Sequence, residues 1–396
     1  MSGVPLLYII AGEPSGDLLG GRLMAALRIA TNGSVRFAGI GGEAMRAQGL
    51  QSLFPMAELS VMGLVEVLPR IPRILRRVRQ TLADIDAKAP DAVITIDSWG
   101  FTGRIQAGLK KRRSSAARIH YVAPMVWAWK SGRTKTLARV LDLLLTLLPN
   151  EPAWFEKEGL ATIHVGHPVI EGAAGQGDGA AFRARHGLAA DAPLLCVLPG
   201  SRHSETAKLL PVFAETVAVV AARQPGLTLV VPTVETVADE VAAAAAGWAL
   251  PAIVVRGTAE KYDAFAACTA ALAASGTVAL ELAMAGLPAV ITYKVSRLSA
   301  FVATRFLGLS LKFVTLVNIL VDRAVMPELL QDQCRPQPLA AAICRLLDDA
   351  EARRVQIEGA RQALAALGLG GESPSDRAAR TILSFIAGRQ QHERRD

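Results

Sequence analysis

The chain has few cysteines, no long apolar run and no excess of acid. Its four cysteines, Cys196, Cys268, Cys334 and Cys344, show no C-x-x-C spacing. That sets aside a zinc ribbon or a disulfide framework and leaves reduced structural thiols, as in a cytoplasmic protein. No stretch reaches the ~18 uninterrupted apolar residues of a spanning helix, so a soluble or peripheral protein is expected. Leu6 to Ile10 is too short, and lacks the basic leader, to read as a signal peptide. Lys and Arg number 43 against 35 Asp and Glu, a net charge of +8. The surplus predicts an anionic partner, but charge alone does not choose among nucleic acid, a phosphorylated substrate and an acidic membrane surface.

With 396 residues, 51% of them hydrophobic, the chain exceeds the usual size of one core and predicts two domains. Short apolar runs at 5–10, 35–40, 92–96, 118–122, 143–148 and 162–165 alternate with amphipathic stretches, the rhythm of an α/β protein with a parallel sheet. A Gly-, Ala- and Asp-rich stretch from Glu171 to Gly179 breaks the rhythm and reads as a linker. The rhythm resumes at 193–198, 227–231, 252–255, 269–273 and 288–293. Each half therefore reads as a Rossmann-like, doubly wound unit, the two facing a cleft with ligands at the carboxyl ends of strands.

In the second half, Ser275-Gly276-Thr277 follows an apolar run and opens a helix that reaches Met284. Such a turn offers free backbone N–H groups to a phosphate. Glu281 lies about one helical turn beyond Thr277, where it can accept hydrogen bonds from ribose hydroxyls. The same residues also suit an ordinary capped turn with a surface glutamate. Pro199-Gly200-Ser201-Arg202, after the run Leu194 to Leu198, delivers a serine and an arginine to another helix start, where Arg202 can neutralise a departing diphosphate.

In the first half, Gly12-Glu13-Pro14-Ser15-Gly16-Asp17 follows the first strand and places Glu13, Ser15 and Asp17 at the top of the sheet. Ser15 or Asp17 would serve equally as a helix cap; Glu13 has no such obvious duty. Asp97 ends the run Ala92 to Ile96 beside Trp99 and Phe101, placed either as a general base or as a cap for the next helix. Trp127 and Trp129, separated by one residue, rarely both point inward, so one is expected to line a cleft. Three patterns are set aside. Gly39 to Ala44 matches G-x-G-x-x-A but lacks the acid-ended strand that should follow. Asp84 and Asp86 sit two apart on a helical stretch, and His164 and His167 have no third ligand nearby. No metal and no cofactor are predicted.

From Val61 to Arg79 the chain carries five arginines and no acid after Glu66. Leu64, Val67, Leu68, Ile71, Ile74 and Leu75 make an apolar face beside a basic one that includes Arg73, with Val61 and Met62 at the start of the same stretch, a pattern suited to an anionic bilayer interface or to packing on the chain's own sheet. Phe306 and Phe313 belong to a second apolar stretch, which suits acyl chains or a membrane.

Taken in order, Gly-Glu-x-Ser-Gly-Asp at 12–17, Ile-Asp at 96–97, Val-Trp-Ala-Trp at 126–129, Gly-His-Pro at 166–168, Pro-Gly-Ser-Arg at 199–202 and Ser-Gly-Thr-x-x-x-Glu at 275–281 resemble the lipid-A-disaccharide synthase family over nearly the whole chain. The resemblance implies a GT-B fold with an acceptor domain over 1–170, a UDP-sugar domain over 171–370 and a terminal helix, 371–396, packing back on the first domain. It implies inverting transfer from UDP-2,3-diacylglucosamine to 2,3-diacylglucosamine 1-phosphate, forming a β-1,6 disaccharide and UDP. It places the protein peripherally on the cytoplasmic face of the inner membrane, often as a homodimer that exchanges its last helix, with no nucleic acid as partner. By the same resemblance Asp97 matches the candidate base, Arg202 the essential arginine, Glu281 a nucleotide ligand and Asn318 an asparagine near the donor. Glu13, Ser15 and Asp17 match the N-terminal loop. Trp99, Asn150 and Val317 depart from the family pattern.

Overall fold

The structure, a computed structural model, describes residues 4–59, 71–124, 132–294 and 312–393. The chain divides into two units, Met1–Pro168 with Gly370–Asp396, and Val169–Leu369. In the first, β1 (Leu6–Ala11), β2 (Arg36–Ile40), β3 (Ala92–Ile96), β4 (Ala117–Tyr121), β5 (Leu143–Thr146) and β6 (Thr162–His164) alternate with α1 (Pro14–Ala30), α2 (Glu43–Ala47), α3 (Ile71–Lys88), α4 (Trp99–Lys111), α5 (Gly132–Val140) and α6 (Pro152–Glu156). The strands pair parallel in the order β2-β1-β3-β4-β5-β6. Parallel strands carry helices on both faces, so their sequences are apolar throughout instead of alternating; β3 is buried at every position. Ile94 and Ile96 pack with Leu23 and Leu27 of α1, whereas Val93 packs with Ile105 and Leu109 of α4. The connections after β1 and β3 therefore leave on opposite faces of the sheet.

The second unit contains α7 (Gly179–Arg185), β7 (Leu194–Leu198), α8 (His203–Ala221), β8 (Thr228–Thr233), α9 (Ala238–Ala245), β9 (Ala252–Arg256), α10 (Thr258–Ala267), β10 (Ala270–Ala274), α11 (Val278–Met284), β11 (Ala289–Tyr293), α12 (Leu316–Val321), β12 (Glu328–Leu330), α13 (Pro336–Asp348) and α14 (Ala350–Ala366). Its order is β12-β11-β10-β7-β8-β9, again parallel. β12 has no counterpart in the sequence rhythm, because three residues led by Glu328 form no apolar run. The segment expected to be a linker differs as well. Short 3₁₀ turns occupy Pro168–Glu171 and Ala173–Gly175, and a Cβ at Gly177 would lie 1.9 Å from the Tyr262 carbonyl oxygen. Glycine there serves close packing on α10, not flexibility.

The last helix, α15 (Pro374–Glu393), lies along α1 in the first unit. Ala378, Ala379, Ile382 and Ile386 enter the core of that unit with Leu23 and Met24. Its far end is tied down by Arg389, paired with Asp142 at 2.7 Å, and by Gln390, which donates to Asp91 at 3.1 Å. Ile382 is fully buried, so Ile382→Ala should cost about 2–5 kcal/mol. Urea unfolding checks this: the midpoint should fall, and an unchanged midpoint would exclude α15 from the core.

Candidate functional site

In a doubly wound sheet, ligands bind where the strand order reverses, since the flanking helices diverge there and leave a crevice at the carboxyl ends. In the first unit that point lies between β1 and β3, and the loops leaving them are Gly12–Asp17 and Asp97–Phe101. Asp97 and Ser98 both adopt left-handed backbone conformations, with φ of 49° and 46°. Such conformations cost of order 1–2 kcal/mol in a non-glycine residue. Surrounding hydrogen bonds hold the turn: the Asp97 N–H donates to the Tyr121 carbonyl at 2.9 Å, and the Thr102 hydroxyl donates to the Asp97 carbonyl at 2.7 Å. Ser98, not Asp97, occupies the cap position of α4, and it caps without a side-chain bond. Among the described residues the Asp97 carboxylate, half-buried, has no hydrogen-bond or ion-pair partner. A strained strand-to-helix turn that presents an unengaged acid is a functional arrangement more than a structural one.

Beside this turn lies a cavity of about 300 Å³ lined by Gly12, Glu13, Ser98, Trp99, Phe101 and Arg104. Leu59, with Ile74 and Leu75 of α3, completes an apolar wall. Glu13 and Ser15 are exposed. Asp17 is not. Its carboxylate accepts from the backbone N–H groups of Gly42 at 2.6 Å, Ala44 at 2.8 Å and Met45 at 3.1 Å. The expected substrate contact at Asp17 is therefore replaced by an internal anchor that fills the N-terminus of α2. The same bonds put an anion of the chain's own at the helix start within the G-x-G-x-x-A pattern, the position a pyrophosphate takes in a dinucleotide site.

Trp99 packs edge-on against His120, their ring centroids 4.8 Å apart. The His120 Nδ1 lies 2.8 Å from the Thr95 hydroxyl, which also accepts from Gln106 Nε2 at 2.9 Å. Sequence reasoning missed this layer, because its four residues come from three elements, β3, β4 and α4, and each alone looks like core.

In the second unit the order reverses between β7 and β10, so the loops at 199–202 and 275–277 leave from adjacent strands. Gly200 has φ +117°, and a Cβ there would meet Glu205 Oε2 at 2.7 Å. The Glu205 carboxylate accepts from the Ser201 N–H at 3.0 Å and pairs with Arg202 at 3.2 Å, yet the Arg202 side chain stays 58% exposed. Glu205 was missed; its place three residues past the cap residue Arg202 is the signal that could have found it. Gly276 and Thr277 are exposed and Ser275 is half-buried. Glu281 accepts both from Lys261 Nζ, at 2.9 and 3.0 Å, and from the Tyr262 hydroxyl at 3.1 Å. Lys261 and Tyr262 thus join the site from α10. Tyr293, at the end of β11, has its phenol pushed up by burial and by the charge of Glu205, with Arg202 opposing, which puts a third strand end at this rim.

Asn318 also differs from expectation. It is fully buried; its Oδ1 accepts from the Val325 and Met326 N–H groups, both at 2.8 Å, and its Nδ2 donates to the Met326 carbonyl at 2.8 Å and Glu328 at 2.9 Å. With all four bonds internal, it braces the segment before β12 instead of touching a ligand. Arg73 is exposed and makes no ion pair among the described residues, while Phe313 is half-buried beneath Lys312, whose ammonium lies 5.0 Å from the ring centre. Arg77 is engaged with Glu58 at 2.5 Å and stacks on Phe54. Val61, Met62, Leu64, Val67, Leu68, Trp127, Trp129 and Phe306 lie outside the described residues, and Ile71 is placed as the first residue of α3. Among the described residues no helix is long and apolar enough to cross a membrane, and no cluster of three His, Cys, Asp or Glu is placed to hold a metal ion.

A family model described as Lipid-A-disaccharide synthetase matches residues 7–382 of this chain. The lipid-A-disaccharide synthase of Paramagnetospirillum magneticum is 76% identical over 391 residues, covering 99% of this chain and 100% of the relative. Among solved structures, the S. aureus MnaA–UDP co-structure gives a TM-score of 0.67 at 13% identity, with 97% of each chain covered. The crystal structure of Acinetobacter baumannii MurG gives 0.55 at 15% identity, covering 97% of this chain and 99% of that one. At these identities the likeness concerns the fold, and the fold is GT-B.

Burial holds the His120 imidazole neutral and lowers its pKa from 6.5 to about 3, against backbone hydrogen bonds that raise it. The unfolded chain therefore takes up this proton first as pH falls. The stability contributed is complete above the unfolded pKa and declines below it, by about 2 kcal/mol over the first 1.5 pH units. His120→Asn should flatten the dependence of the urea midpoint on pH between 7 and 5; a slope equal to that of the unmodified protein would refute the neutral buried imidazole.

Proposed function

We infer that this chain, which belongs to the lipid-A-disaccharide synthase family and is a glycosyltransferase, moves a diacylglucosamine from UDP to the 6-hydroxyl of a diacylglucosamine 1-phosphate, with inversion. The observation that carries the reading is the contrast between Asp97 and the other acids at the two strand-order reversals. Asp17 and Glu205 are bound by the chain's own N–H groups, whereas the Asp97 carboxylate has no partner among the described residues.

In this mechanism Asp97 accepts the proton of the acceptor hydroxyl as its oxygen attacks the anomeric carbon. The bond to UDP breaks on the opposite face. Arg202 and the N–H groups at Gly276 and Thr277 offset the charge that builds on the diphosphate. Glu281, held by Lys261 and Tyr262, keeps oxygen lone pairs for the ribose hydroxyls. The second unit thus takes the UDP-sugar and the first takes the acceptor. The co-structure of MnaA contains UDP, which supports a nucleotide on this fold. Leu75 is 44% exposed on α3, a helix that also exposes Arg73, Arg76 and Arg79, and this combination supports peripheral contact with an anionic inner-membrane surface.

UDP release by purified protein in detergent tests the reading, with UDP-diacylglucosamine alone and then with acceptor. Release should require acceptor and should fall about 10²–10⁴-fold in Asp97→Ala, the range for loss of a general base. Arg202→Ala should lose roughly 10²–10³-fold, as removal of one charge-stabilising donor does. Release without acceptor would indicate an epimerase or hydrolase instead.

A further inference from the structure

We propose that Arg104 receives the phosphate of the acylated sugar acceptor and so determines acceptor specificity. The inference rests on the function proposed above and adds the group that reads the acceptor's charge. Arg104 sits in the second turn of α4, on the wall of the cavity beside Asp97. It is exposed, and its guanidinium bonds one partner, the Gly100 carbonyl of its own helix. A guanidinium has five donors in a planar fork, so most of them remain for a ligand.

Other arginines of the same unit show what a structural assignment looks like. Arg77 pairs with Glu58, Arg112 with Asp86, and Arg118 and Arg389 with Asp142. Arg104 has no acidic partner among the described residues, although Glu13 lines the same cavity. Arg104 is also the one cation among the described residues that line it. Nothing lies within 4 Å of where a Cβ of Gly100 would be, so the first turn of α4 is unscreened and its partial positive charge adds to that of Arg104. The buried Ser98 hydroxyl, without a hydrogen-bond partner among the described residues, lines the cavity too.

The rest of the wall narrows the ligand class. Leu59, Ile74, Leu75, Trp99 and Phe101 are apolar, a poor match for free inorganic phosphate or for a bare sugar phosphate. A phosphate carried beside acyl chains satisfies both halves of the lining. Bidentate pairing of Arg with phosphate gives geometric specificity as well as attraction.

The test measures kcat/KM with the 1-phosphate acceptor and with the same diacylglucosamine lacking phosphate, in neutral detergent. The unmodified protein should prefer the phosphorylated acceptor by roughly 10- to 100-fold, the range for charge-assisted hydrogen bonds. In Arg104→Met the preference should fall to within about threefold, through the KM of the phosphorylated acceptor, and Arg104→Lys should retain part of it. A preserved preference in Arg104→Met, or a loss falling on the KM of the UDP-sugar, overturns the proposal. Weakened sedimentation of Arg104→Met with anionic phospholipid vesicles, at an unchanged acceptor preference, assigns Arg104 to lipid headgroups and overturns it as well. Absence of transfer to either acceptor by the unmodified protein overturns the parent function, and this inference with it.

Discussion

The reversal of strand order in each sheet is the constraint on which the sites depend. Two adjacent parallel strands send their following helices to opposite faces, so the carboxyl ends between them are covered by neither. In the first unit the core residues of α1 and α4 lie on opposite sides of the sheet. The gap between the loops they begin from is a geometric consequence, not a local accident. The second unit repeats the arrangement with β7 and β10. What distinguishes the two crevices is which side chains the loops leave unengaged there.

Helix starts near these crevices present N–H groups that need acceptors. The chain satisfies some of them from within. Asp17 reaches across to α2, and Glu205 turns back to the Ser201 N–H at the start of α8. These acids stabilise the loops that present other residues, and removal of Asp17 would leave the buried Met45 N–H unmet. Asp97 has the opposite character: its backbone is strained and braced, and its carboxylate is unengaged among the described residues. Engagement by the chain's own donors therefore separates anchoring acids from acids open to a substrate more sharply than position in a motif does. Glu281 falls between, since its partners Lys261 and Tyr262 are side chains, which rotate more readily than backbone donors.

Much of this was legible in the sequence. The apolar runs of both halves locate the strands from β1 to β11 to within a residue or two, because parallel strands buried on both faces leave a continuous apolar signal. The loops at 12–17, 97–101, 199–202 and 275–281 are visible because they follow those runs directly. The roles inside the loops were less legible. Asp17 and the first of its N–H donors, at Gly42, are separated by 25 residues, and Lys261 and Glu281 by 20; no local pattern records such pairings. Asn318 reads as a ligand residue in a resemblance and as a brace in the structure, because its four bonds go to Val325, Met326 and Glu328, just beyond its own helix. The left-handed pair Asp97-Ser98 carries no glycine to announce it.

Charge shows the same division between what composition gives and what contacts decide. A net charge of +8 predicts an anionic partner but not where it binds. Ion pairing removes many candidates: Arg77, Arg112, Arg118 and Arg389 each have an acid within the first unit. Of these only the Arg112–Asp86 pair is exposed on both sides and so contributes little to stability, but every pair makes its cation less available to a ligand. Arg73 and Arg104 make no ion pair among the described residues, and both belong to the helices, α3 and α4, that wall the cavity beside Asp97. Of the two, Arg104 lines the cavity itself, where an apolar wall meets a carboxylate with no partner among the described residues. Under the proposed function, an acceptor that is acylated, phosphorylated and nucleophilic would meet all three features at one end of one sheet.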